Sequence, residues 1–176
     1  LLSGGSALKL ADDVLIDSLG DHLTIGVLEV RYSEDEKVNN FAQLASTGFY
    51  LIAKDAGCKF IDSRIKKNEP RSHASNTFLS LLKAWTSNYE DGKVVITQGI
   101  GPDGHTSGIM PMPEDENKFD EVFNNPDKWV VEYDAGSKNE FPERITTTLS
   151  FLRDAVDHSI LYVSGDNKKE AMKKVL

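Results

Sequence analysis

Short apolar segments alternate with stretches of helical spacing along the chain, and this alternation constrains the fold more than any other feature. Residues 23–30, 94–96, 129–133 and 160–163 are rich in β-forming or continuous apolar side chains and are typical of buried strands. Between them, apolar residues recur at helical spacing in Ala7, Leu10, Ala11, Val14 and Leu15; Val38, Phe41, Ala42 and Ala45, continued past Gly48 by Phe49, Ile52, Ala53 and Ala56; Phe78, Leu81, Leu82 and Trp85; Phe119, Val122 and Phe123; and Leu149, Leu152, Ala155 and Val156.

This order of elements predicts an α/β fold with an open, mostly parallel, Rossmann-like sheet and helices on both faces. Ser75 or Asn76 is the expected cap of the helix around Phe78, and a last helix is expected from Asp166 onward. We find no repeat or linker, so we expect residues 1–176 to form one domain.

Charge and cysteine content exclude several classes of function. The chain carries 20 Lys and Arg against 28 Asp and Glu, a net charge of −8, which argues against nucleic acid as a partner. Its apolar runs are shorter than the roughly 20 residues of a membrane span. The single cysteine, Cys58, excludes an internal disulfide and a cysteine-based metal cluster. We therefore expect a cytoplasmic protein, as a monomer or homodimer.

Polar or glycine-rich clusters follow the strand candidates. The clusters are residues 4–6, 29–31, 99–105 and 165–168. In an open parallel sheet all strand exits lie along one edge, where ligands bind, so we expect the clusters to line one cleft. Turns favour Gly, Ser and Asp in any case, which makes each cluster alone a weak signal.

Residues 99–107 form the richest of these segments. They satisfy the pattern G-x-G-x-x-G, but Pro111 and Pro113 follow closely and no helical stripe opens there, which disfavours a dinucleotide site. His105 can exchange a proton near neutral pH, and glycines such as Gly101 and Gly104 can aim backbone N–H groups at an oxyanion. The alternative is an ordinary surface turn that ends in histidine.

A few cationic or hydroxyl groups are candidates for binding an anion. Gly5 and Ser6 precede a helix, where free N–H groups favour phosphate, although Ser6 also suits an ordinary helix cap. Lys168 lies in the first turn of the last helix, where a cation is unfavourable unless an anion is bound; the alternative is that solvent exposure makes this cost negligible. Arg31 and Arg144 carry forked donors, and structural salt bridges are the alternative for both. No His, Asp and Glu spacing matches a metal site.

The segment Gly-Ile-Gly-Pro-Asp-Gly-His-Thr-Ser at residues 99–107 resembles the signature loop of 6-phosphogluconolactonases and, more broadly, of the glucosamine-6-phosphate isomerase/deaminase superfamily. Residues 4–6 resemble the first phosphate loop of that family, residues 142–146 its Arg-Ile-Thr segment, and residues 163–168 its late strand and Gly-x-x-Lys segment. The resemblance covers nearly the whole chain.

Sequence details separate the two branches of the superfamily. Met110 stands where the deaminase branch has a glutamate, and Arg31 suits the Asp-Glu-Arg motif of the lactonases, so the lactonase branch is favoured. The motif is altered here to Glu29-Val30-Arg31, without its middle acid. Family members are also longer at both ends, so we expect the chain to lack a first strand and helix and a terminal helix.

The resemblance implies hydrolysis of 6-phosphoglucono-δ-lactone to 6-phosphogluconate without metal or organic cofactor. His105 would be the general base, supported by Asp103, with Glu29 and Arg31 beside it. Gly101 and Gly104 would shape the loop and help to stabilise the oxyanion. The residues implied for phosphate binding are Gly5, Ser6, Arg144 and Lys168. Alternative functions are an isomerase or deaminase acting on an amino-sugar phosphate, and a non-catalytic sugar-phosphate sensor.

Overall fold

The computed structural model describes residues 1–14 and 16–174. Its strands are β1 (Thr24–Ile25), β2 (Glu29–Arg31), β3 (Lys59–Phe60), β4 (Val95–Gln98), β5 (Val130–Asp134), β6 (Glu143–Thr147) and β7 (His158–Leu161). Its α-helices are α1 (Asn40–Ala45), α2 (Gly48–Asp55), α3 (Arg71–Asn88), α4 (Glu116–Phe123), α5 (Leu149–Asp154) and α6 (Lys169–Lys173). Short 3₁₀ helices span Gly5–Asp13, Ile16–Ser18, Gly136–Lys138 and Asp166–Lys168.

Residues 1–3 join two parallel strand pairs into one sheet. β1 pairs with β3, and β4 pairs with β7, both in parallel. Leu2 N–H donates to the Gly26 carbonyl at 2.8 Å, and Ser3 N–H donates to the Thr97 carbonyl at 3.1 Å. Across the sheet the order is therefore β3, then β1, then the extended residues 1–3, then β4 and finally β7. This parallel arrangement confirms the predicted α/β fold.

A second, antiparallel sheet continues from the first. The chain runs from β1 directly into β2, which pairs with β6, and β6 pairs with β5. Thr147 N–H donates to the Leu28 carbonyl at 3.0 Å, so the two sheets share the backbone around residue 28. β6 was not predicted from the sequence, because charged Glu143 and Arg144 interrupt the apolar pattern that is typical of strands.

Two groups of buried apolar side chains hold these layers together. The larger lies between the sheets and helices α1, α3 and α5, and includes Val27, Leu28, Val30, Phe41, Leu44, Phe78, Leu82, Ile96, Ile145 and Phe151. The smaller packs α4 against β5 and the loop after β4, and consists of Ile109, Met110, Phe123, Val131, Tyr133 and Ala135. Among the described residues, none of the helices has both the length and the apolar character needed to cross a membrane.

The structure corrects several local predictions. The stripe that starts at Ala7 forms a 3₁₀ helix, and Leu15 of that stripe lies outside the described residues. The stripe across Gly48 is two helices, because the Thr47 hydroxyl caps α2 by accepting from Tyr50 N–H at 3.1 Å. The helix around Phe78 begins at Arg71, directly after Pro70, and neither Ser75 nor Asn76 caps it. The Pro70 ring fixes φ near −62° while its ψ of 142° is extended, so Pro70 is the residue from which the helix starts, earlier than the apolar stripe indicates.

Candidate active site

A cleft of about 190 Å³ opens at the carboxyl ends of the parallel strands. Residues 1–3 and β4 are neighbours in the sheet, but the next parallel strand after residues 1–3 is β1 on one side, and the next after β4 is β7 on the other. Open α/β sheets bind ligands at such a reversal of strand order. The lining residues come from every predicted cluster and are Ser3, Gly4, Gly5, Ser6, Glu29, Arg31, Gly99, Ile100, Gly101, Pro102, His105, Ser107 and Lys168.

Most of the residues singled out in the sequence therefore meet in one place. Gly5, Ser6, Glu29, Arg31, Gly101, His105 and Lys168 all line the cleft. Asp103 and Gly104 belong to the same loop but lie outside the lining, and Arg144 lies behind it. No individual role was predicted for Ser3, which adjoins residues 4–6, or for Ser107, which is the last residue of the segment 99–107.

His105 is held by an acidic neighbour on its own loop. An Asp103 carboxylate oxygen lies 2.5 Å from Nδ1 of His105 and 3.3 Å from the His105 backbone nitrogen. Burial disfavours the charged carboxylate, but the hydrogen bond and charge of His105 outweigh it, so the pKa of Asp103 is lowered. An ionised carboxylate only accepts, so Nδ1 carries the proton and Nε2 is the basic nitrogen.

The loop around His105 has no space for a side chain at Gly101. A Cβ there would lie less than 3.0 Å from the His105 ring and from the Asp103 carboxylate. Gly101 N–H donates to the His105 carbonyl at 2.8 Å, and Gly104 N–H donates to the Gly101 carbonyl at 3.0 Å. Both N–H groups are therefore used inside the loop, and the structure does not direct them at a ligand. In the structure these two hydrogen bonds shape the turn that carries His105.

Polar side chains on the sheets fix the segment that follows His105. Gln98 Nε2 donates to the Ser107 hydroxyl at 2.9 Å, and the Thr146 hydroxyl donates to the Ser107 carbonyl. The Tyr133 hydroxyl donates to the carbonyl of Gly108, and burial raises the pKa of Tyr133, so that this hydroxyl keeps its proton. These bonds run from β4, β5 and β6, so the loop is tied to both sheets.

Glu29 and Arg144 form a buried ion pair beside the cleft. Arg144 Nη1 donates to a Glu29 carboxylate oxygen at 2.6 Å, and the two side chains are only 2% and 8% exposed. The other Arg144 donors reach the Phe141 carbonyl at 3.1 Å and the Asn139 side chain at 2.9 Å. The guanidinium is enclosed by these partners, so the structure does not bring Arg144 to the place where a phosphate was predicted to bind.

Arg31 is the arginine that faces the cleft. Its guanidinium carbon lies 4.7 Å from the centre of the Phe141 ring, and its buried Nε has no hydrogen-bond partner in residues 1–14 and 16–174. Burial lowers the pKa of Arg31, and the charge of Glu29 acts in the opposite direction. An arginine keeps its charge at neutral pH, so Arg31 brings to the cleft a cation whose Nε has no partner among the described residues.

Two segments near the ends of the described chain meet at the other side of the cleft. Lys168 Nζ donates to the Ser6 hydroxyl at 3.0 Å. Gly5 and Gly165 have φ angles of +64° and +104°, a region of backbone space that favours glycine, and they form the turns that bring these two side chains together. A lysine ammonium, a hydroxyl and the start of a helix make a chemically suitable site for an anion.

Residues with metal-binding side chains are not grouped in the described part of the chain. No set of three or more His, Cys, Asp and Glu residues there is placed to hold a metal ion.

The fold resembles that of solved 6-phosphogluconolactonases. The chain superposes on the enzyme from Thermotoga maritima with a TM-score of 0.71 at 19% identity, covering 99% of this chain and 73% of that one. For the Plasmodium vivax enzyme the TM-score is 0.70 at 17% identity, with 100% and 67% covered. For the Shewanella baltica enzyme it is 0.69 at 19% identity, with 99% and 70% covered. At these identities the likeness shows the fold alone.

Comparison by sequence identifies the family. A search of curated proteins gave no significant match. The model of the family described as glucosamine-6-phosphate isomerases/6-phosphogluconolactonase matches residues 1–176. That match covers all of the segments that meet at the cleft, from residues 4–6 to Lys168. The chain therefore belongs to the family of glucosamine-6-phosphate isomerases and 6-phosphogluconolactonases.

Proposed function

We propose that this protein hydrolyses 6-phosphoglucono-δ-lactone to 6-phosphogluconate. The observation that carries the proposal is that one cleft contains an imidazole oriented by a carboxylate together with the Lys168 and Ser6 pair and Arg31. The imidazole is suited to activating water, and Lys168, Ser6 and Arg31 are suited to binding an anion. The names of the similar structures support the same reaction.

In the proposed mechanism His105 acts first as a base and then as an acid. Nε2 accepts a proton from water while the water oxygen bonds to the lactone carbonyl carbon, and negative charge develops on the carbonyl oxygen. When the tetrahedral intermediate collapses, the bond to the ring oxygen breaks and the imidazolium returns its proton to that oxygen. Asp103 holds the ring and stabilises its charged form between the two steps.

Arg31 is the proposed stabiliser of the oxyanion. Its Nε has no partner, whereas the N–H groups of Gly101 and Gly104 are used within the loop. A charged donor in a partly dry cleft interacts more strongly with a developing oxyanion than it would in water. Lys168 and Ser6 would hold the phosphate at the other end of the substrate and so fix the position of the carbonyl.

The isomerase and deaminase alternative lacks an acidic group at one position. Met110 stands where the deaminases carry a glutamate, and it is 2% exposed within the smaller apolar core. A carboxylate cannot replace it there without burying a charge. We therefore expect no release of ammonia from glucosamine 6-phosphate.

The test compares the wild type with His105→Ala in an assay of lactone opening corrected for spontaneous hydrolysis. We expect the rate to fall by roughly 10²- to 10⁴-fold, the contribution typical of a general base, with an unchanged melting temperature. His158→Ala is the matched control, since His158 is exposed at the start of β7.

An undiminished rate in His105→Ala would remove the imidazole from the mechanism. If the wild type binds 6-phosphogluconate but does not open the lactone, the protein is a sugar-phosphate sensor and the hydrolase proposal is wrong.

A further inference from the structure

Asn40 has a buried amide without partners. It is the first residue of α1 and is 1% exposed, and neither its Nδ2 nor its Oδ1 has a hydrogen-bond partner in the described residues. Among the side chains that the structure describes, no other leaves two polar atoms buried in this way. Burying polar groups without partners is strongly unfavourable, and native proteins almost always satisfy them. The amide therefore requires a partner from outside the described protein atoms.

The amide lies against the segment that carries the anion-binding groups. A Cβ on Gly4 would be 2.6 Å from Asn40 Nδ2 and 3.3 Å from Asn40 Oδ1, so the amide occupies the space that a side chain at residue 4 would need. Gly4 lines the cleft, and its neighbours Gly5 and Ser6 lead to the contact with Lys168. The unpartnered amide therefore adjoins Gly4, one of the residues that line the candidate site.

Capping of α1 does not account for Asn40. The cap is the preceding residue, Asn39, whose Oδ1 accepts from Ala42 N–H at 2.9 Å. Phe41 and Leu44 of the same helix are fully buried in the larger core and fix the position of α1. The Asn40 side chain is therefore held beside Gly4 by a rigid element, while its hydrogen-bonding groups remain unused.

We propose that Asn40 is a ligand-binding residue of this cleft and that its carboxamide completes the phosphate site. Nδ2 donates to a phosphoryl oxygen of the bound sugar phosphate, and Oδ1 accepts a backbone N–H of residues 4–6 in the bound state. The inference rests on the proposed function, because it takes the ligand to be a sugar phosphate. A neutral amide suits this place, since it can donate a hydrogen bond to an anion held by Lys168 without adding a buried charge.

The experiment measures calorimetric affinity for 6-phosphogluconate and for inorganic phosphate in the wild type and three variants. Asn40→Ala should weaken both probes by roughly 10- to 100-fold, the loss of a hydrogen bond to a charged group. Asn40→Asp keeps the shape but places a carboxylate beside the phosphate, and should weaken binding further. Asn39→Ala is the matched control: it removes the helix cap and lowers the melting temperature, and should leave both affinities unchanged.

The outcomes separate this inference from the proposed function. If the wild type binds 6-phosphogluconate and both Asn40 variants bind it equally well, the assignment of Asn40 is wrong while the proposed function stands. The same holds if the free Asn40 variants melt earlier with unchanged affinity, because the missing partner is then a structural water. If the wild type binds neither probe, both proposals fail.

Discussion

The cationic side chains around the cleft differ in how many of their donors are already used. Arg144 donates to Glu29, Phe141 and Asn139, whereas the Lys168 ammonium donates one hydrogen bond within the described part of the chain, to the Ser6 hydroxyl. A cation whose partners are neutral and few can take up an anion at little cost, whereas a buried ion pair must first be broken. The structure therefore favours Lys168, together with Arg31, as the groups that attract the substrate.

Lys168→Ala should raise KM for the lactone by about tenfold or more while kcat stays nearly the same. The lost contact is distant from the reacting carbonyl and is made equally in the ground and transition states. Lys169→Ala is the control, because that neighbour is exposed and forms an ion pair with Asp166 at 2.9 Å. Steady-state kinetics of the two variants decide the matter, and an unchanged KM in Lys168→Ala would refute the phosphate assignment.

Arg144→Met should lower the free energy of unfolding by about 3 to 5 kcal/mol, because it leaves the Glu29 carboxylate buried without its partner. Glu29→Gln in the same chain should restore a large part of that loss, since the charge is then removed as well. Urea unfolding of the single and double variants measures both effects. A stable Arg144→Met protein with a raised KM would instead favour the phosphate-binding role that the sequence had suggested.

The element that carries the proposed chemistry is the loop between β4 and α4. Gly101 and Gly104 in this loop need glycine for different reasons. Gly101 lacks space for a side chain, whereas Gly104 has space but a φ of +89°. The first constraint fixes the position of the His105 ring, and the second fixes the turn itself. Substitutions at the two positions should therefore have different consequences.

Gly101→Ala should abolish lactone opening, because the new Cβ would displace the His105 ring and the Asp103 carboxylate. Gly104→Ala should keep measurable activity and cost about 1 to 2 kcal/mol of stability, the penalty for a left-handed backbone in an L-residue. Activity and thermal melting of the two variants provide the measurement. Full activity in Gly101→Ala would contradict the arrangement of the loop described above.

At the scale of the whole molecule, the cleft brings together residues that are far apart along the chain. Ser6 and Lys168 are 162 residues apart, and both contact the same space as the loop after β4. The parallel sheet makes this possible, since residues 1–3, β4 and β7 all end at one edge. A ligand in the cleft therefore ties the first and last described segments to the middle of the sheet.

We expect 6-phosphogluconate at one hundred times its Kd to raise the free energy of unfolding by about 2.7 kcal/mol. Hydrogen exchange should slow most at residues 4–6 and 165–168, with little local change in α2, which does not line the cleft. Denaturant melts and exchange followed by mass spectrometry measure the two effects. Protection confined to α2 would show that the ligand binds elsewhere.

The alternation of apolar segments determined the α/β class, because burying strands between helices requires that pattern. The glycine, histidine and lysine clusters also identified the cleft, since strand exits in a parallel sheet share an edge. The sequence could not reveal β6, whose Glu143 and Arg144 look polar. The burial of Arg144 depends on register: pairing with β2 sets it opposite Arg31 and next to Glu29 on the neighbouring strand, whereas Glu143 at the start of β6 stays exposed.

Only the tertiary structure distinguished Arg31 from Arg144 and drew attention to Asn40. As sequence letters the two arginines are equivalent candidates, and an asparagine before an apolar helical stripe looks like a capping residue. Which of them faces a ligand depends on where partners from distant parts of the chain lie. That information resides in the packing of the sheets against α1, because hydrogen-bond saturation is a property of the folded environment and local composition does not encode it.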